Sequence, residues 1–409
     1  MSKSAVPLEV SKLDSPAMIA NPYPRYAQLR RSAPVSWAKV PLLLRGSGGY
    51  LLTRYDDVMT LYSDPRFSTD AVKHTLAGKF TWLMPSPMRL LTETMVFKDD
   101  PDHKRLKSLV HKAFTPKLVS TMPGDITKIA EQLADQIAAQ RDVDLVHDFA
   151  VRLPLSVIAT MLGVADEDRD RFHRLVEPLS TATGRTAMLR YAGSTRKLVQ
   201  LFEQLIDDRR LRPDDGLISQ LVRANEAGDK LTHRETVAMV FLLLLAGHDT
   251  TANFIGSSVL ALMEHPDQLA ALRAQPELWD TAIEELLRYT SPVGCGGTRI
   301  ALEDVEIAGT PIHKGKQVLG MINSANRDEA VFDNPDGLDL TRKPNPHLAF
   351  TTGIHYCLGH QLARLEGRIA LTTLLQRFPN WELTRPRSQL RYKVAVPLRG
   401  LTSLPIRMY

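Results

Sequence analysis

The chain has 409 residues, 44% hydrophobic and 24% charged, an ordinary globular mixture that excludes wholesale disorder, a collagen-like fibre and a coiled coil. Lys plus Arg exceed Asp plus Glu by 51 to 46, a formal net charge of +5 that is too slight to argue for a nucleic-acid partner. Two cysteines, Cys295 and Cys357, cannot supply a disulfide framework at this size and suit a reducing compartment. The first 21 residues mix Lys3, Glu9, Lys12 and Asp14 among apolar ones and lack the apolar core of a secretory signal.

Two β-like pieces come first, Val35-Ser36-Trp37 and Tyr50-Leu51-Leu52-Thr53. The Pro/Gly-rich stretch 41–49 between them predicts a hairpin-like pair. Helical spacing follows over 102–114, 125–139 and 195–210. The clearest helix starts at Thr232, where Thr232-His-Arg-Glu235 forms a capping box. The run 237–263 behind it has no proline and is apolar nearly all round, so it should pass through the middle of the molecule. Its strongly apolar part, 237–247, is shorter than the ~20 residues that span a bilayer. Pro276 introduces another helix over 277–289. The segment 298–320 falls towards a period of two and predicts a small sheet. An irregular stretch, 326–352, leads to a last helix over 358–378. Helices dominate, strands cluster near both ends, and no linker divides the chain, so one large domain over 1–409 is expected despite the length.

The sequence has no G-x-x-x-x-G-K-[ST] phosphate loop, no H-E-x-x-H zinc helix and no G-x-S-x-G elbow. The Gly-rich pieces 46–49 and 294–297 lack the strand–turn–helix context of a dinucleotide site. The segment Phe350-Thr-Thr-Gly353-Ile-His355-Tyr-Cys357-Leu-Gly359 is different. It sets a cysteine at a predicted helix N-terminus, whose amides stabilise a thiolate. Gly353 permits a tight turn, and Gly359 permits close approach of a bulky planar group. A thiolate held this way suits an iron ligand; a buried cysteine filling a helix cap is the plainer alternative.

The same segment reads F-x-x-G-x-H-x-C-x-G and resembles the haem-binding loop of the cytochrome P450 superfamily. Two further motifs precede it in the family's order. Ala246-Gly247-His248-Asp249-Thr250-Thr251 matches A-G-x-[DE]-T-T, and Glu285-Leu-Leu-Arg288 matches E-x-x-R. The resemblance runs from Tyr50-Leu-Leu-Thr-Arg-Tyr-Asp-Asp to Arg399-Gly-Leu-Thr-Ser-Leu-Pro405. It is to soluble bacterial members, of the kind that tailor polyketides and related specialised metabolites. It implies a single cytochrome P450 domain, mostly α with small β-sheets. A haem b would lie between the long central helix and the helix after the Cys loop.

The resemblance also implies roles. Cys357 would be the iron's thiolate ligand, pushing electron density onto the metal to favour O–O cleavage. Glu285 and Arg288, with Arg342 as third partner, would brace the loop before that cysteine. His103, Lys107, Arg299 and His355 fall where the family places donors to the haem propionates. Lys107 stands where Arg is common and offers a point charge without bidentate geometry. Ala246 and Gly359 would border the haem. Asp249 and Thr250 would form an acid–alcohol pair, the alcohol hydrogen-bonding dioxygen and the acid relaying protons. Lys104, Lys112, Arg364 and Arg368 would contribute to a basic docking face.

The implied activity is haem-thiolate monooxygenation, in the cytoplasm, of a mainly apolar organic substrate, a bulky specialised metabolite. Dioxygen is the co-substrate. Ferredoxin and ferredoxin reductase would carry electrons from NAD(P)H to a chain expected to be monomeric and to lack a membrane span. A peroxygenase or reductase on the same fold, and a non-catalytic haem sensor or carrier, are the alternatives. The apolar stretch 241–245 and residues Val394 and Ala395 are expected at the substrate. So are Val293, Gly294, Cys295 and Gly296, whose small side chains either leave room for a bulky substrate or merely satisfy positive φ while other residues refill the space. The roomy pocket is the expectation.

Overall fold

The computed structural model describes residues 9–10, 13, 15–39, 48–74, 86–181, 187–226, 231–393 and 397–409. Helices build most of it. The long helix His233–Glu264 starts where expected. Thr232 accepts from the Glu235 N–H at 3.1 Å, and the Glu235 carboxylate accepts from the Thr232 N–H at 2.7 Å. The whole 32-residue helix, about nine turns, is buried almost end to end. It is long and apolar enough by composition to cross a membrane, but 67% of its most apolar window is buried against the rest of the protein. It is therefore the axis of the main core.

Close approach to this axis depends on glycine. A Cβ at Gly247 would meet Ile158 Cδ1 at 2.7 Å, and one at Gly367 would meet Phe254 Cε1 at 2.2 Å. These contacts dock the helices Arg152–Met161 and His360–Arg377 directly onto the long helix.

The predicted hairpin is present. Val35–Lys39 pairs antiparallel with Gly48–Leu52, in the register Trp37 opposite Tyr50. It joins a six-stranded sheet ordered Glu9–Val10, Val35–Lys39, Gly48–Leu52, Gln317–Met321, Cys295–Ala301 and Phe67–Ser68. The strands predicted within 298–320 thus complete the sheet begun near the N-terminus. Between Asn326 and Thr352 the chain forms no helix or strand, as expected. The last helix runs His360–Arg377, so it begins after the Cys loop and not at residue 358. A π-helical turn, Val146–Ala150, and the helix Arg152–Met161 had no sequence expectation.

Candidate active site

The Cys loop is pinned from both sides. At Gly353 φ is +71°, and a Cβ there would meet the Tyr62 carbonyl oxygen at 2.3 Å, so this turn excludes every side chain. The Cys357 N–H donates to the Phe350 carbonyl at 3.1 Å, closing the loop on itself. Cys357 lies deep in the protein yet keeps an accessible face. Burial pushes its thiol pKa up, against the Gly359 N–H and the Arg364 and Lys107 cations, which favour the thiolate. A coordinated metal ion would supply the missing stabilisation, since a ligating thiol is deprotonated outright. Around Gly359 a Cβ would meet nothing within 4 Å.

Cationic and N–H donors gather nearby. The His103 and His355 rings lie 4.4 Å apart, and His103 Nδ1 is 3.3 Å from Asp100 Oδ1. Arg299 is 4% exposed and stacks 5.0 Å from the Tyr62 ring centroid. Among the described residues no carboxylate lies within ion-pair distance of it. Burial lowers the pKa of Arg299 and of His103. Burial, then Arg299 and His103, depress His355 to about 3. A buried cation that has only the more distant charge of Asp99 and no ion-paired carboxylate, beside two imidazoles that burial disfavours as cations, fits a group presenting carboxylates at this edge. With the deep thiol and the open space at Gly359, the donor set fits haem.

Lys107 is placed differently from the expectation. Its Nζ donates to the Ile354 carbonyl and, at 3.3 Å, to that of Tyr356. It ties the Cys loop to the helix Asp102–Ala113, which leaves the carboxylate-facing role chiefly to Arg299 and the histidines.

The long helix carries an accessible stretch. Leu243, Leu245, Ala246, Gly247, Asp249 and Thr250 keep accessible surface where the neighbouring turns are buried, and the i, i+3, i+4 spacing puts Ala246, Asp249 and Thr250 on one face. Thr250 Oγ1 donates to the Ala246 carbonyl at 2.7 Å. Its proton is engaged in the helix, so in this geometry the hydroxyl presents lone pairs. Asp249 Oδ1 lies 3.4 Å from Lys393 Nζ and 3.7 Å from His248 Nε2. Sequence reasoning passed over both partners. The histidine was legible as the variable position of A-G-x-[DE]-T-T; the lysine, 144 residues away, had no signal.

Glu285, Arg288 and Arg342 come together in the interior. Arg288 meets Glu285 through two bonds of 2.7 and 2.8 Å, and Arg342 Nε donates to Glu285 at 3.0 Å. Arg288 also donates to the carbonyls of Asn326, Pro335 and Gly337, and so organises the irregular stretch before the Cys loop.

Two expectations need correction. Gly294 and Cys295 are buried in protein, Cys295 at 2% exposure, and do not line an open pocket. Tyr62 fills the space: its hydroxyl accepts from the Gly296 N–H at 2.9 Å, and a Cβ at Gly296 would meet Tyr62 Cζ at 2.8 Å. Of the four turn residues only Val293 and Gly296 keep accessible surface, and Val394 and Ala395 lie outside the described residues. The small side chains thus accommodate a tyrosine, not a substrate. The docking face also shrinks. Arg364 meets Glu284 through bonds of 2.6 and 2.7 Å and stacks 4.4 Å from the Phe350 ring centroid, while Arg368 pairs with Asp280 at 2.6 Å. Lys104 and Lys112 remain exposed.

Arg364 instead joins a second brace. Burial would raise the Glu284 pKa, but Arg364 and His347, the latter at 3.0 Å, outweigh it and bring the carboxyl from 4.5 to about 2. Its folded pKa is depressed, so the contribution is complete above about pH 4.5 and fades as pH falls towards 2. Glu284→Gln should cost about 2 kcal/mol at neutral pH, allowing for screening of a partly exposed group. Urea midpoints of variant and parent should converge as the pH drops below 4.5; a gap independent of pH would exclude the ion pairs as its source.

Comparison with known proteins agrees with this geometry. Residues 169–396 match the family model described as Cytochrome P450. The polyketide biosynthesis cytochrome P450 PksS of Bacillus subtilis is 40% identical over 391 residues, covering 95% of this chain and 96% of that protein.

The chain belongs to the cytochrome P450 family.

The P450 is also 40% identical to the vitamin D(3) 25-hydroxylase of Pseudonocardia autotrophica, over 95% of this chain and 94% of that one. The solved structure of PksS superposes with a TM-score of 0.89 at 39% identity, covering 98% of this chain and all of that one. P450BioI, solved with acyl carrier protein ligated to hexadec-9Z-enoic acid, gives 0.85 at 36% identity, over 96% and 99%. The protein is therefore a P450 monooxygenase that uses haem b, dioxygen and electrons drawn from NAD(P)H through partner proteins.

Proposed function

We propose that this P450 oxygenates a mainly apolar specialised metabolite of polyketide or comparable bulk, in the cytoplasm, as a single-domain monomer served by ferredoxin and ferredoxin reductase. The observation that carries the proposal is the accessible strip Leu243, Ala246, Asp249 and Thr250, which combines an apolar wall with an acid and an alcohol. Relatives named for polyketide biosynthesis and vitamin D(3) hydroxylation support the size of the substrate. The turn at 293–296 does not, because Tyr62 occupies its space.

The haem, when bound, supplies oxygen activation and electron storage. Cys357 would hold its metal, and Arg299, His103 and His355 would pair its carboxylates. Ala246, with no side chain beyond Cβ, keeps the wall open beside it. Asp249 is the group able to exchange protons with solvent, and Thr250 receives a hydrogen bond while its own proton stays on the Ala246 carbonyl. The acid–alcohol pair favours a monooxygenase over a haem carrier, which needs neither group.

Purified holoenzyme with ferredoxin, its reductase and NADPH should consume oxygen, and polyketide or sterol ligands should shift the haem spectrum. Absence of oxygen consumption under reduction would favour the carrier. Thr250→Ala should keep haem and ligand response but lower product formed per NADPH about tenfold, with peroxide rising in its place. Peroxide yield beside product yield checks this, and unchanged coupling would reduce Thr250 to a packing residue.

A further inference from the structure

Asp249 is held by an arrangement that none of the three sequence motifs contains. Lys393 follows Tyr392, which bridges to Leu401, and its backbone N–H donates to the Gly400 carbonyl at 2.9 Å. That anchor brings Nζ to 3.4 Å from Asp249 Oδ1, with 20% of the lysine side chain and 16% of the aspartate exposed. The second neighbour is His248, 1% exposed, with Nε2 at 3.7 Å from the same oxygen. His248 Nδ1 lies 2.9 Å from the Leu244 carbonyl. A carbonyl only accepts, so Nδ1 carries a hydrogen and donates to it, which leaves Nε2 as the nitrogen nearer Asp249. The second titratable ring nearby, His173 on the helix Arg169–Thr181, is kept neutral: burial, then Arg152, lower it to about 4. It adds no competing charge.

We infer that Lys393 is a positioning residue for proton delivery. It holds the Asp249 carboxyl in place, so that protons taken up from solvent at this acid pass onward to the oxygen being reduced. The balance is simple. Reduction of dioxygen to peroxide takes two electrons and two protons; reduction to two waters takes four of each. NADPH supplies the electrons through the partner proteins, and solvent reloads Asp249 at its accessible edge. Without Lys393 the carboxylate loses its anchor, protons arrive more slowly, and peroxide escapes before further reduction.

The inference rests on the monooxygenase reading, but its test needs no substrate. Holoenzyme, ferredoxin, reductase and NADPH are mixed in air without organic substrate. NADPH consumed per oxygen, peroxide yield and the H2O/D2O rate ratio are then recorded. In Lys393→Gln the peroxide fraction should rise, and both the rate and the water-forming fraction should fall at least about threefold, with an altered isotope ratio. Lys393→Arg should restore them, because it keeps the cation. In an Asp249→Asn background Lys393→Gln should add nothing. Wild-type stoichiometry in Lys393→Gln, equal losses in Gln and Arg, or additive effects with Asp249→Asn would each overturn the inference. A parent protein that binds haem but takes up no oxygen would instead sink the monooxygenase reading.

Discussion

Cys357→Ala should lose the red-shifted Soret band of the reduced carbon-monoxide complex, with monooxygenase turnover down at least about a thousandfold, equivalent to about 4 kcal/mol of barrier. The other cysteine cannot substitute as a thiolate: Cys295 is buried at 2% exposure, and its sulfur lies 3.8 Å from the Tyr62 hydroxyl. The stability of the haem-free chain should change by about 1 kcal/mol or less, since Cys357 is only partly buried, at the edge of the main core. The pattern expected is thus a folded protein with a different spectrum. The carbon-monoxide difference spectrum beside a urea melt decides it. A variant with the parental band would remove Cys357 as ligand, and one that fails to fold would make it a packing residue.

Arg288→Ala should be the most destabilising single change among the residues described. The side chain is fully buried and spends its donors on Glu285 and three backbone carbonyls, with the Phe332 ring centroid 5.2 Å from its guanidinium carbon. Truncation leaves Glu285 buried with Arg342 as its remaining cation and leaves those carbonyls without a donor. Breaking a buried pair from one side costs about 3–5 kcal/mol, because the other charge stays behind. The irregular stretch 326–352 loses its anchor at the same time, so haem content should fall along with the denaturant midpoint. Arg288→Lys should recover only a minor part, since one ammonium cannot replace a planar fork shared among four acceptors. A loss under about 1 kcal/mol in Arg288→Ala would mean that the network is dispensable.

Of the four basic residues expected on a docking face, Lys104 and Lys112 lie exposed on the helix Asp102–Ala113 that Lys107 ties to the Cys loop, while Arg364 and Arg368 are engaged by Glu284 and Asp280.

What could be read in advance was local. The capping box at Thr232, the proline-free apolar run of the long helix, the spacing of Glu285 and Arg288 and the order of the Cys loop are all local features of the sequence. Backbone geometry alone fixes which of those side chains meet. Asp249 and Thr250 were legible for the same reason, as adjacent residues on one helix. The rest depended on contacts between residues far apart in the chain. Tyr62 reaches Gly296 across 234 residues and packs under Gly353, Arg364 finds Glu284 across 80, and Lys393 finds Asp249 across 144. No periodicity encodes such meetings. They follow from how the helices and the sheet pack, and packing decided whether a small residue opened a pocket or admitted a tyrosine, and whether an arginine faced a partner protein or a glutamate.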